Sequence, residues 1–116
     1  MSGPDPLDGV VARADLTDLV APVVVACSGG PDSLALLAVA VRAGLEPVAV
    51  HIDHGLRPDG AAEAAVVAAV AARLGATSRS ERVEVTDGPN LEARARVARY
   101  DALERAADAA GATAIL

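Results

Sequence analysis

The chain has 116 residues, 53% of them hydrophobic, and a net charge of −6, which bounds it to one domain with a modest core. Its acidic residues are spread along the chain, which argues against a generic nucleic-acid coat protein and leaves room for a nucleic-acid substrate held by a few local arginines or by a separate domain. A single cysteine excludes an internal disulfide or CxxC centre; with no long apolar run and no basic leader-like opening, the expectation is a cytoplasmic protein without membrane contact.

Residues 1–21 open with a stretch rich in Pro, Gly and Asp and read as a tail or short helix, separate from a domain over 22–116. From Val23 the pattern becomes regular. Val23 to Ala26 is an apolar strand, which stops at Ser28-Gly29-Gly30-Pro31-Asp32-Ser33 and runs into an apolar helix, Ser33 to Ala43. Paired glycines let the backbone turn without Cβ clashes, and the helix start aims free N–H groups and a positive dipole end at the same point. That is a phosphate site. Pro31 suits the first helical turn, where a missing N–H is no loss. A Walker A loop would need a lysine, and the chain has none; all ten basic residues are arginine. Asp32 stands where a carboxylate would repel polyphosphate, so it reads as a ligand to Mg²⁺ or to a metal-bound water. Cys27, beside the loop, reads as a small core residue.

Pro47 to Ile52 is the second strand, leading into His51-Ile52-Asp53-His54-Gly55-Leu56-Arg57. The two-residue period puts Val48, Val50 and Ile52 on one face and His51 and Asp53 on the other, with His54 turned away from both. Three readings stay open: a zinc site, support of loop backbone by Asp53 and His54, or lining of a nucleotide pocket. A helix over Gly60 to Leu74 and a strand over Arg82 to Val85 follow, then a helix over Leu91 to Ala110 with Asn90 as its N-cap, and a last strand over Ala112 to Leu116. Gly44, Gly75 and Gly111 each follow a helix, as C-terminal caps in the left-handed region do. The alternation gives an α/β fold, a parallel sheet with helices on both faces, and it gathers the strand-to-helix loops on one edge.

On the last helix, Arg94, Asp101, Glu104, Arg105 and Asp108 share a polar arc. Arg96 and Arg99 fall instead on the arc expected to face the sheet, in the half nearest the binding edge. They read as an anion clamp, with a Glu92–Arg96 ion pair as the alternative for Arg96; Tyr100 reads as packing. The chain ends on the apolar run ATAIL without a polar exit, which suggests a piece of a longer protein.

Ser28 to Ser33 resembles the loop of the PP-loop (N-type) ATP pyrophosphatases, which cleave ATP between its α- and β-phosphates. Within that superfamily, His51 to Arg57 and the stretch from Asn90 to Arg96 with Arg99-Tyr100 look like those of the tRNA(Ile)-lysidine synthases. The resemblance implies an adenine nucleotide alpha hydrolase-like, Rossmann-like fold. It also implies ATP-driven adenylation of the wobble cytidine in a CAU-anticodon tRNA(Ile), assisted by Mg²⁺, and displacement of AMP by L-lysine. Ser28, Gly29, Gly30, Pro31, Asp32 and Ser33 would then hold pyrophosphate and metal, with Asp32 and Arg99 catalytic. The backbone at Val50, His51 and Ile52 would meet adenine, and Arg96 and Arg99 would bind phosphate or lysine. Members of the family run on past this length, so weak or no activity is expected of the chain alone; a homodimer stays open. Another PP-loop enzyme, such as a tRNA thiolase or amidotransferase synthetase, and a non-catalytic ATP-binding module are the alternatives.

Overall fold

The computed structural model describes residues 18–54, 60–85 and 88–116. The chain alternates β1 (Val24–Ala26), α1 (Pro31–Arg42), β2 (Val48–Asp53), α2 (Gly60–Leu74), β3 (Thr77–Arg82) and α3 (Leu91–Ala110). The strands are parallel in the order β1-β2-β3. On the free side of β1, Ile115 forms a parallel bridge with Val24, and Leu116 donates its N–H to the Val24 carbonyl at 2.8 Å. The expected last strand therefore takes part as a single bridge. The expected short helix within residues 1–21 lies almost wholly outside the described residues.

Strand alternation divides the core in two. Val23, Val25, Cys27 and Ala49 meet Leu37 and Ala40 of α1 and Val67 and Ala71 of α2 on one face. Val24 and Val50 meet Leu103, Ala106 and Ala107 of α3 on the other. β1 and the first half of β2, Val48 to Val50, are apolar on both faces because both faces are covered, and each fully buried Val or Leu contributes about 1.5–3 kcal/mol. The chain steps from β1 to β3 with α1 and α2 on one face, then returns past β1 with α3 on the other. Right-handed crossovers require that change of face when the direction reverses, and it makes the carboxyl end of β1 the switch point of the sheet.

Each helix closes alike. Gly44, Gly75 and Gly111 have φ of 74°, 76° and 71°. After α1, Gly44 donates to the Val41 carbonyl and Leu45 to that of Ala40; the same pair of bonds closes α2 and α3.

One strand differs from expectation. β3 is Thr77–Arg82, and the strand expected over Arg82 to Val85 only extends it, through the Val83 N–H to the Asp53 carbonyl at 2.8 Å. Thr-Ser-Arg-Ser-Glu-Arg has no apolar alternation because β3 borders the described sheet and is largely exposed. Polar and charged side chains suit such a border, and Arg79 pairs with Glu81 at 2.7 Å along it.

Candidate functional site

β1 ends at the Ser28 to Ser33 loop. Gly29 has φ 90°, a turn that a side chain would strain, and Gly30 occupies the N-cap of α1 without a side-chain capping bond. α1 begins at Pro31, two residues before the expected start, so Asp32 and Ser33 form its first turn. The first intrahelical bond runs from the Leu34 N–H to the Gly30 carbonyl. The loop is braced from within. Ser33 Oγ donates to the Gly30 carbonyl at 3.1 Å and accepts from the Ser28 N–H at 3.2 Å. The Gly30 N–H reaches Ser28 Oγ at 3.3 Å. Bracing spends the two hydroxyls and leaves the helix start, uncapped by any side chain, for an anion. The Asp32 carboxylate is exposed at that start.

A cleft of about 110 Å³ opens beside this loop on the carboxyl ends of the strands. It is smaller than pockets that enclose a whole ligand, about 300–1,000 Å³, so a ligand lies across the edge with part of it open. Cys27 and Ser28 line it from the end of β1, and Val50, His51 and Ile52 from β2. Arg99 reaches it from α3 and Glu63 from α2. Arg99 is half-buried and has no hydrogen-bond or ion-pair partner among the described residues. A guanidinium held in a cleft without a hydrogen-bond or ion-pair partner among the described residues favours an anion.

The two basic residues read as a clamp part company here. Arg96 does not line the cleft; it is exposed, with its guanidinium 5.9 Å from the centroid of the Tyr100 ring. Tyr100 is 47% exposed and belongs to neither core cluster, so it does not serve as packing. The helical projection fails for Arg96 because it lies near the helix start, beyond the stretch of α3 that meets the sheet at Ala102, Leu103, Ala106 and Ala107.

The three readings of the His51 to His54 segment resolve separately. Among the described residues no cluster suited to a metal ion forms, which removes zinc. Asp53 turns to the start of α2, where a Cβ on Gly60 would lie 2.5 Å from Asp53 Oδ1, so its carboxylate closes against the positive end of that helix. His54 is not turned away from His51, since β2 ends at Asp53 and alternation stops there; both line the cleft. Both Nδ1 atoms are buried without a partner among the described residues, an arrangement that suits a hydrogen-bonding ligand. Gly55, Leu56 and Arg57 of the motif lie outside those residues.

Asn90 occupies the N-cap of α3 but makes no side-chain capping bond, contrary to expectation. Its φ of 59° is left-handed, whereas a capping side chain needs extended backbone to reach the first turn. Arg94, expected on the polar arc, instead has a buried Nη2 and donates through Nε to the Pro89 carbonyl at 3.1 Å. Cys27 is buried, and desolvation pushes its thiol up from 9.0 to about 11, so it is a packing group and no nucleophile near neutral pH. Glu63 escapes sequence reading, as its only signal is an acidic residue in a first helical turn; its Cβ would lie 3.5 Å from one on Gly29.

Residues 13–116 match the PP-loop domain family. The chain is 49% identical to a tRNA(Ile)-lysidine synthase of Thermus thermophilus, over 82% of this chain and 20% of that protein. It is 49% identical to that of Thermobifida fusca, over 100% of this chain and 39% of that protein, and 38% identical to that of a Bradyrhizobium species, over 91% and 33%. The chain thus spans between a fifth and two fifths of the length of these relatives. Among solved structures, the NH3-dependent NAD synthetase from Campylobacter jejuni superposes with a TM-score of 0.60 at 16% identity, over 93% of this chain and 51% of that one. At that identity the likeness is one of fold.

Proposed function

The chain belongs to the PP-loop domain family, and from that premise we propose that it carries the ATP site of a tRNA(Ile)-lysidine synthase. In this reading the C2 oxygen of the wobble cytidine in a CAU-anticodon tRNA(Ile) attacks the α-phosphorus of ATP and pyrophosphate leaves. The lysine amine then attacks C2, and the C2–oxygen bond breaks to release AMP. Both steps move charge onto phosphate oxygens, so the site's work is to position groups and neutralise charge.

The observation that carries this reading is the braced Ser28 to Ser33 loop, open at an uncapped helix start, with Arg99, which has no partner among the described residues, lining the adjoining cleft. The backbone N–H groups of Gly29, Asp32 and Ser33, which the bracing does not use, would hold pyrophosphate, and Arg99 would meet negative charge developing across the cleft. The Val50 to Ile52 edge would take the adenine, and the unsatisfied His51 and His54 nitrogens suit the polar edge of a nucleotide. Mg²⁺ would be held by the exposed Asp32 carboxylate together with the nucleotide phosphates, since at the phosphate-binding turn only a cation between them makes the pairing favourable. Bound there, it would offset phosphate charge. Among the described residues no helix is long and apolar enough to cross a membrane.

The test is Mg²⁺-dependent pyrophosphate release from ATP in the presence of a CAU anticodon stem-loop and lysine. Asp32→Asn should abolish it while circular dichroism stays unchanged. Undiminished release would remove Asp32 from the mechanism, and ATP binding without any release would favour a non-catalytic nucleotide module.

A further inference from the structure

The chain has one aromatic side chain, Tyr100, with no Phe or Trp. The buried members of both core clusters are Val, Leu, Ala and Cys alone. The sole aromatic ring is 47% exposed on α3, one residue after the arginine that lines the cleft. The exposed Arg96 guanidinium stands against it at 5.9 Å, one helical turn closer to the strand ends. Among the described residues Arg96 has no other partner.

Among the described residues the ring joins no core cluster, and a leucine would supply apolar surface equally well. A half-exposed aromatic face beside an exposed guanidinium is the pairing that takes a single-stranded nucleotide: the base stacks on the ring and the phosphate meets the cation.

We propose that Tyr100 and Arg96 form a stacking platform for an unpaired base of the RNA substrate, a base flanking the one that enters the cleft. Arg96 takes that nucleotide's phosphate. This site rests on the reading of the substrate as RNA and is distinct from the ATP contacts, to which Tyr100 contributes nothing.

The experiment compares the wild-type chain, Tyr100→Leu and Tyr100→Phe. Each is titrated with a CAU anticodon stem-loop carrying 2-aminopurine beside the wobble position, and in parallel with Mg²⁺-ATP by calorimetry. Loss of one stacked base is worth about 1–3 kcal/mol, so Tyr100→Leu should weaken RNA binding by about 5- to 150-fold and abolish the quenching of 2-aminopurine emission. Tyr100→Phe, which keeps the ring, should retain both, and all three proteins should bind ATP equally, which also reports that Tyr100→Leu is folded. Equal RNA affinity and equal quenching in wild type and Tyr100→Leu would overturn the platform, as would a wild-type chain that binds ATP but not the stem-loop. Failure of the wild type to bind ATP would instead overturn the ATP-site reading, and the RNA titration would still decide the platform.

Discussion

Replacing Arg99 by Met separates binding from stability, because it keeps the apolar stem and removes only the charge. Arg99 is half-buried in the cleft and has no partner among the described residues, so its removal strands no carboxylate. A change in folding stability within about 0.5 kcal/mol is expected, the range of substitutions that break no buried interaction. Affinity for ATP should behave differently. A guanidinium about 4 Å from a phosphate charge gains about 4 kcal/mol at an effective dielectric of 20, and the open side of the cleft lowers this toward the 1.5–3 kcal/mol of a charge-assisted hydrogen bond. That corresponds to a loss in ATP affinity of about 10- to 150-fold. Arg94→Met supplies the contrast: its Nε bonds the Pro89 carbonyl at 3.1 Å, so it should cost about 0.5–1.5 kcal/mol of stability. Urea unfolding and calorimetric ATP titration of both variants give the two readouts. An Arg99→Met protein that binds ATP as tightly as wild type would refute the anion role, and one destabilised by well over 1 kcal/mol would show a structural partner for Arg99.

Two further outcomes follow from local geometry. Asn90 is left-handed and spends no side-chain bond on the helix, so Asn90→Gly should be neutral or raise stability by up to about 1 kcal/mol; a loss of 1 kcal/mol in urea unfolding would mean that its side chain caps α3 after all. Burial raises the Cys27 thiol from 9.0 to about 11, so the folded state holds the proton more tightly than the unfolded chain. The stability this confers is fully present below pH 9.0 and is lost as pH rises through about 11. Stability measured against pH should fall in that window in wild type and less steeply in Cys27→Ala, and equal slopes in the two proteins would place the titration elsewhere.

The alternation of strand and helix was legible in the residues alone, because two-faced burial demands unbroken apolar strands and capped helices, and Val23 to Ala26 and the three capping glycines carry that pattern openly. The residues also marked the Ser28 to Ser33 loop, since a phosphate turn needs glycines next to a helix start. β3 stayed illegible because a bordering strand needs no apolar face, and Thr77 to Arg82 is shaped by pairing with β2 instead of by burial. Only the tertiary structure could divide Arg96 from Arg99. A helical projection assigns both to the inward arc, but how far the sheet extends along α3 decides which one meets the cleft and which stands free against Tyr100. The same holds for His51, Asp53 and His54. Alternation governs them only while β2 continues, and the end of that strand at Asp53 sends the carboxylate to α2 and both imidazoles to the cleft.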